Sequence, residues 1–177
     1  MMRRFGTAAG VLALVLGVVV SFLLLYMALY TVNFILQIIL LLASMGLLFF
    51  SSHPLAHYVV ARLCGIKVMY FFLGRSDFRK LRGKLGTFGN LIPTIGTKID
   101  VIQIQGISKR RRSLVYGAGA IVSNVAMLFP LLAAWFFELN SIALILGTLF
   151  FFGSLGSEIL FSSKVGDLAK MKRELAK

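Results

Sequence analysis

The feature that most constrains this chain is a long uncharged block near its start. No Asp, Glu, Lys or Arg occurs from Phe5 to Ala61. This block is more than twice as long as the roughly 20 apolar residues that one helix needs to cross a hydrocarbon core about 30 Å thick. It therefore predicts two membrane-spanning helices, at residues 8–29 and 33–61, rather than one.

Two later blocks each predict one further span. Residues 113–137 carry no charge, and residues 139–163 carry only Glu158. They predict helices at residues 113–137 and 140–162. We therefore expect an all-α polytopic membrane protein with four transmembrane helices, in which residues 1–177 form a single membrane domain. One cysteine, Cys64, excludes an internal disulfide.

The basic residues are placed asymmetrically. The net charge is +13, and Lys and Arg lie before the first span, between spans two and three, and after span four. Basic loops stay cytoplasmic, so this placement predicts that both termini, the loop at residues 66–112 and the basic tail at residues 163–177 are cytoplasmic. Such charge also attracts anionic lipids. Because topology accounts for it, we expect no nucleic-acid partner.

The cytoplasmic loop is expected to contain β-structure. Ile66–Leu73 is rich in aromatic and β-branched residues, and Lys98–Gln105 partly alternates between apolar and polar residues, so each predicts a strand. Between them, the basic stretch from Arg75 to Lys84 suits a membrane surface. The loop is either a solvated connector or a strand edge that receives an extended peptide.

The two histidines of the chain are the strongest candidate functional residues. His53 and His57 lie four residues apart in the cytoplasmic half of the second span, and residues at this spacing share one helical face. Two such imidazoles can bind one metal ion, as in zinc proteases. Alternatively, they hydrogen-bond to neighbouring helices.

A third ligand would come from a carboxylate near the same depth. Glu158 lies six residues before Lys164, so about 9 Å deep, which matches the histidines. Asp167 lies on the same side of the membrane but is shallower. Depth alone favours Glu158, which could instead be a protonated or ion-paired carboxyl within the bundle.

The order of these features resembles the site-2 protease family of intramembrane zinc metalloproteases. The resemblance rests on His53-Pro54-Leu55-Ala56-His57, on the following glycine and strand, on Gly119-Ala120-Ile121-Val122-Ser123-Asn124, and on Lys164-Val165-Gly166-Asp167-Leu168. It covers about residues 45–170. It implies a zinc ion bound by His53, His57 and Asp167, and a transmembrane peptide as substrate.

One departure from the family pattern separates the possible functions. Pro54 replaces the glutamate that serves the family as general base, and proline cannot accept a proton from metal-bound water. The chain is therefore either a weakly active protease, with Glu158 as a ligand or relocated catalytic base, or a zinc-binding pseudo-protease. The alternative is a non-catalytic structural subunit or scaffold of a membrane protein complex. A transporter that uses Glu158 as a proton site has less support, because no repeat is visible.

Overall fold

The computed structural model describes residues 3–75, 93–162 and 166–176. Its elements, in chain order, are β1 (Arg3–Phe5), α1 (Thr7–Tyr30), α2 (Phe34–Leu63), β2 (Val68–Arg75), β3 (Pro93–Ile99), α3 (Val101–Gly106), α4 (Lys109–Phe136), α5 (Ser141–Ser157), a π-helical turn (Glu158–Ser162) and α6 (Asp167–Leu175). Most of these residues are helical, and the strands form one small sheet.

Four helices in the described part of the chain are long and apolar enough to cross a membrane. They are α1, α2, α4, and the continuous stretch Ser141–Leu160 that contains α5. The short connections between them are closed by asparagine caps. The side chain of Asn33 accepts hydrogen bonds from the amides of Ile35 and Leu36, and Asn140 caps α5 through the amide of Ile142. The predicted four-helix architecture is confirmed at this level.

Helices α1 and α2 are held together by small residues. The hydroxyl of Ser21 donates to the carbonyl of Ser44 at 3.0 Å, and the hydroxyl of Ser44 donates to the carbonyl of Ser21 at 2.9 Å. Both serines are fully buried. Small side chains allow the two backbones to approach closely, which fixes α2 and the histidines that it carries.

The sheet covers one end of the bundle and has the strand order β1-β2-β3, with both pairings antiparallel. The predicted strand at Ile66–Leu73 is confirmed as β2, two residues further along. Strand β1 was not predicted. It has only three residues, and helices α1 and α2 separate it in sequence from its partner β2, so no local pattern indicates it.

The predicted strand at Lys98–Gln105 is wrong over most of its length. Strand β3 ends at Ile99, and α3 follows at Val101–Gly106. The physical reason is a helix cap: the carboxylate of Asp100 accepts hydrogen bonds from the amides of Ile102 and Gln103. Apart from Arg75, the basic stretch from Arg75 to Lys84 lies outside the described residues.

The predicted basic tail contains an ordered helix. Helix α6 packs on α4, where the Sδ atom of Met171 lies 2.5 Å from the position that a Cβ on Gly117 would occupy. An ion pair of 3.1 Å joins Arg112 at the start of α4 to Glu174. These contacts place the beginning of α6, and therefore Asp167, beside α2.

Candidate metal centre

The histidine pair of α2 faces a carboxylate from α6. The Nε2 atoms of His53 and His57 lie 3.1 Å and 2.9 Å from the same oxygen, Oδ2 of Asp167. The three side chains form the one group of His, Cys, Asp and Glu residues in the described part of the chain whose ligand atoms all lie within 4.8 Å of one another. His53 and His57, one helical turn apart on α2, thus meet Asp167, which follows His57 by 110 positions.

The opposite ring nitrogens are anchored on α4. Nδ1 of His57 lies 2.7 Å from the backbone carbonyl of Val115, and Nδ1 of His53 lies 3.4 Å from the hydroxyl of Ser123. The Ser123 hydroxyl donates its own proton to the carbonyl of Gly119 at 2.8 Å. A carbonyl only accepts, and the serine proton is already engaged, so both imidazoles donate from Nδ1.

This pattern fixes the protonation state of Nε2, the ring nitrogen that faces Asp167. In a neutral imidazole with its proton on Nδ1, the Nε2 atom carries a lone pair. Two such lone pairs therefore point at a carboxylate oxygen. The arrangement is stable only if a positive charge lies among the three atoms, which is either a proton on an imidazole or a metal cation.

Gly119 makes this convergence possible. A Cβ atom added to Gly119 would overlap Nε2 of His57 and would lie 2.7 Å from Nε2 of His53. The backbone of α4 therefore forms a wall of the site, against which both ligand nitrogens are packed. Any larger residue at position 119 would displace one or both imidazoles.

The carboxylate of Asp167 is kept ionised by its surroundings. Burial alone would raise the pKa of this carboxyl. When the imidazoles of His53 and His57 carry a proton on Nε2, the hydrogen bonds that they donate, the charge of His57 and the charge of Lys170 hold the pKa well below its ordinary range. The ammonium of Lys170 lies 3.1 Å from Oδ1, the oxygen that faces away from the histidines. Asp167 is therefore an anionic ligand oriented by a cation behind it.

The structure brings together three of the four residues that the sequence singled out. Glu158 begins the π-helical turn after α5, is half-buried, and is not part of the group formed by the histidines and Asp167. Pro54 is buried within α2, and its backbone carbonyl accepts a 3.0 Å hydrogen bond from the hydroxyl of Thr97 on β3. Its side chain offers no proton acceptor at the position after His53.

Sequence reasoning missed the roles of Lys170, Gly119 and Val115. Lys170 follows Asp167 by three residues on one helix, a spacing at which opposite charges meet, so a signal for it existed. Gly119 lay in a motif already noted. Val115 acts through its backbone carbonyl, and a backbone group leaves no mark in a sequence.

Comparison with known protein families, with curated proteins and with solved structures finds no match for this chain. The site must therefore be interpreted from its own geometry. That geometry combines two imidazoles and one carboxylate, each supported by a contact on its far side, and these three residues could hold a metal ion.

The docking of α6 can be tested by cross-linking. With Cys64 replaced by alanine, cysteines introduced at Gly117 and Met171 should be joined efficiently by a short bifunctional thiol reagent, because the side chain of Met171 packs against the backbone of Gly117. A cysteine at the exposed Lys172 is the matched control and should cross-link poorly to position 117. Equal yields for the two pairs on denaturing gels would contradict the placement of α6 and of Asp167.

Proposed function

We propose that this chain is a site-2-protease-like integral membrane protein that binds one divalent transition metal, with zinc the first candidate, through His53, His57 and Asp167. The observation that carries the proposal is the convergence of the two Nε2 atoms on one carboxylate oxygen of Asp167, at 3.1 and 2.9 Å. Because Pro54 replaces the usual general base, we propose a pseudo-protease or a weakly active metalloprotease rather than an efficient enzyme.

The donor set suits zinc. Zinc in catalytic centres is bound by three protein ligands of the imidazole and carboxylate type, and the fourth position is left for water or substrate. Ligands about 2.0–2.2 Å from a tetrahedral zinc lie about 3.3–3.5 Å apart. The contacts of 2.9 and 3.1 Å here need to lengthen by only a few tenths of an ångström to accept the ion.

The contacts behind the ligands also favour a metal. Metal-bound histidines typically donate their other ring N–H to a carbonyl, carboxylate or water, which fixes the tautomer and the ring orientation. The carbonyl of Val115 and the hydroxyl of Ser123 fill this role for His57 and His53. When bound, zinc would acidify a water molecule, and the residues of the chain would hold the ion and exclude bulk solvent.

Several observations support the membrane part of the proposal. Many large apolar residues of α1 are exposed, among them Leu12, Leu16 and Leu23, each with more than half of its surface accessible. Exposed apolar surface of this extent is typical of a lipid or protein interface. Together with the basic loop and tail, it supports a chain with both termini cytoplasmic. Its ligand would then be a transmembrane peptide or another membrane subunit.

The alternative is a scaffold whose histidine cluster holds no metal. The contacts of 2.9 and 3.1 Å have the length of hydrogen bonds, and protonation of both imidazoles would satisfy them without an ion. In that case the cluster would serve only to dock α6 on the bundle.

Metal content separates these two functions. Protein purified without chelators should contain about one zinc per chain by elemental analysis. His53→Ala, His57→Ala and Asp167→Ala should each reduce this content, because each removes one of three ligands. Gly119→Ala should do the same while keeping every ligand, since its methyl group would meet both Nε2 atoms.

Gly156→Ala is the matched control, because a Cβ at this helical glycine meets no atom within 4 Å. It should keep the wild-type zinc content. The metal proposal would be contradicted if correctly folded wild-type protein bound no metal even after attempts to load zinc, cobalt and nickel. That result would support the scaffold function.

Peptide cleavage tests whether the site is catalytic. We expect the wild-type protein to cleave membrane peptides slowly or not at all, because loss of a general base costs about 10²- to 10⁴-fold in rate. If cleavage occurs, the zinc-ligand variants should abolish it. Activity that is unchanged in Glu158→Gln would exclude Glu158 from the chemistry, whereas rapid turnover by the wild type would contradict the pseudo-protease.

The proposed orientation is tested with the native cysteine. A membrane-impermeant maleimide should label the half-buried Cys64 in inside-out vesicles and not in sealed right-side-out cells, since Cys64 ends α2 on the basic side. With Cys64 replaced by alanine, a cysteine at the exposed Glu138 should give the opposite pattern. Labelling of both positions from the same side would contradict the four-span topology.

A further inference from the structure

An open polar pocket of about 170 Å³ lies between α4 and α6. It is lined by Tyr116 of α4 and by Lys170, Arg173 and Glu174 of α6. A single water needs only about 10–15 Å³ of such space, so the cavity can hold a considerably larger group. A polar cavity of this size between two helices is a candidate ligand site.

The charge around the cavity favours an anion. Its carboxylate, Glu174, is paired with Arg112 at 3.1 Å, and the ammonium of Lys170 is paired with Asp167 at 3.1 Å. Arg173 is an additional cation, and its Nε donates to the carbonyl of Ala169 at 3.3 Å, which orients the guanidinium group. Three cations thus surround two carboxylates, which gives the cavity and its rim a positive balance.

The position of the cavity identifies the kind of anion. Tyr116 lies seven residues after Lys109, the first residue of α4, so about 10 Å along the helix from its basic end. In the proposed orientation the basic start of α4 lies near the lipid headgroups, and basic pockets between helices on the cytoplasmic side bind anionic headgroups. We propose that this cavity binds the phosphate group of an anionic lipid, with Lys170 and Arg173 as its main ligands.

Occupancy would stabilise the helix that carries Asp167. Lys170 and Arg173 lie on α6, whereas Tyr116 lies on α4, so a phosphate between them joins the two helices. The same ammonium that would contact the phosphate orients the carboxylate of Asp167. Lipid binding itself is independent of the metal proposal, and only this coupling to the ligand Asp167 rests on it.

The test is equilibrium binding of a short-chain phosphatidylglycerol to the full-length protein in neutral detergent at 0.15 M salt, with phosphatidylcholine as the uncharged-headgroup comparison. Arg173→Gln should weaken phosphatidylglycerol binding about tenfold or more, since a hydrogen bond between charged groups is lost. Lys172 and Arg173 are both exposed, but of the two only Arg173 lines the pocket. Lys172 is therefore the matched control, and Lys172→Gln should change the affinity less than about twofold, because its charge lies outside the pocket and is screened by this salt.

The Gly117–Met171 cross-link, introduced into each variant, reports whether α6 remains docked. If Arg173→Gln and Lys172→Gln weakened phosphatidylglycerol binding equally, the attraction would be a general property of the surface and the proposal would be overturned. Equal affinity of the wild-type protein for phosphatidylcholine and phosphatidylglycerol would also overturn it. Inorganic phosphate is the second probe. Weak competition, only at millimolar concentration or above, supports a lipid, whereas phosphate that binds as tightly as the lipid would overturn the assignment to a lipid headgroup.

Discussion

The close approach of α4 to the histidine face of α2 is the constraint on which the candidate site depends. At Gly119 the backbone of α4 fills the space that any side chain would take, and it packs against both Nε2 atoms. On either side of this contact, Val115 and Ser123 hold the Nδ1 atoms. One helix thereby fixes the position, tautomer and direction of both imidazoles, so that their remaining lone pairs meet at one point. Such preorganisation is what a metal centre requires of its scaffold.

The carboxylate reaches this point from outside the bundle. Asp167 begins a short helix that is held on α4 by the contact of Met171 with Gly117 and by the Arg112–Glu174 ion pair. A mostly buried ion pair adds little net stability, because desolvation offsets most of the attraction. Its effect here is positional: it sets where α6 lies on α4, and therefore where Asp167 meets the histidines. The lipid site that we propose would act on the same helix and by the same means.

Pro54 separates metal binding from hydrolysis. Proline has no amide hydrogen, so the helix loses one backbone bond at this residue. The carbonyl of Pro54 is hydrogen-bonded to Thr97, which links the interrupted part of α2 to strand β3. The two histidines on either side of the interruption keep a common direction, whereas the side chain that would serve as a base is absent.

The sequence by itself determined the features that depend on local patterns. Long uncharged blocks predicted four helices, because the length of a membrane span is a property of consecutive residues. Spacing of four residues placed His53 and His57 on one face, because helical periodicity is also local. The cap at Asp100 was equally local, and it was overlooked.

The tertiary structure alone decided which carboxylate meets the histidines. Depth along a span favoured Glu158 over Asp167, but depth gives no information about the direction in which a side chain points or about a helix that folds back beyond the last span. That choice depends on contacts between α4 and α6, which join residues more than fifty positions apart, and no local pattern encodes it.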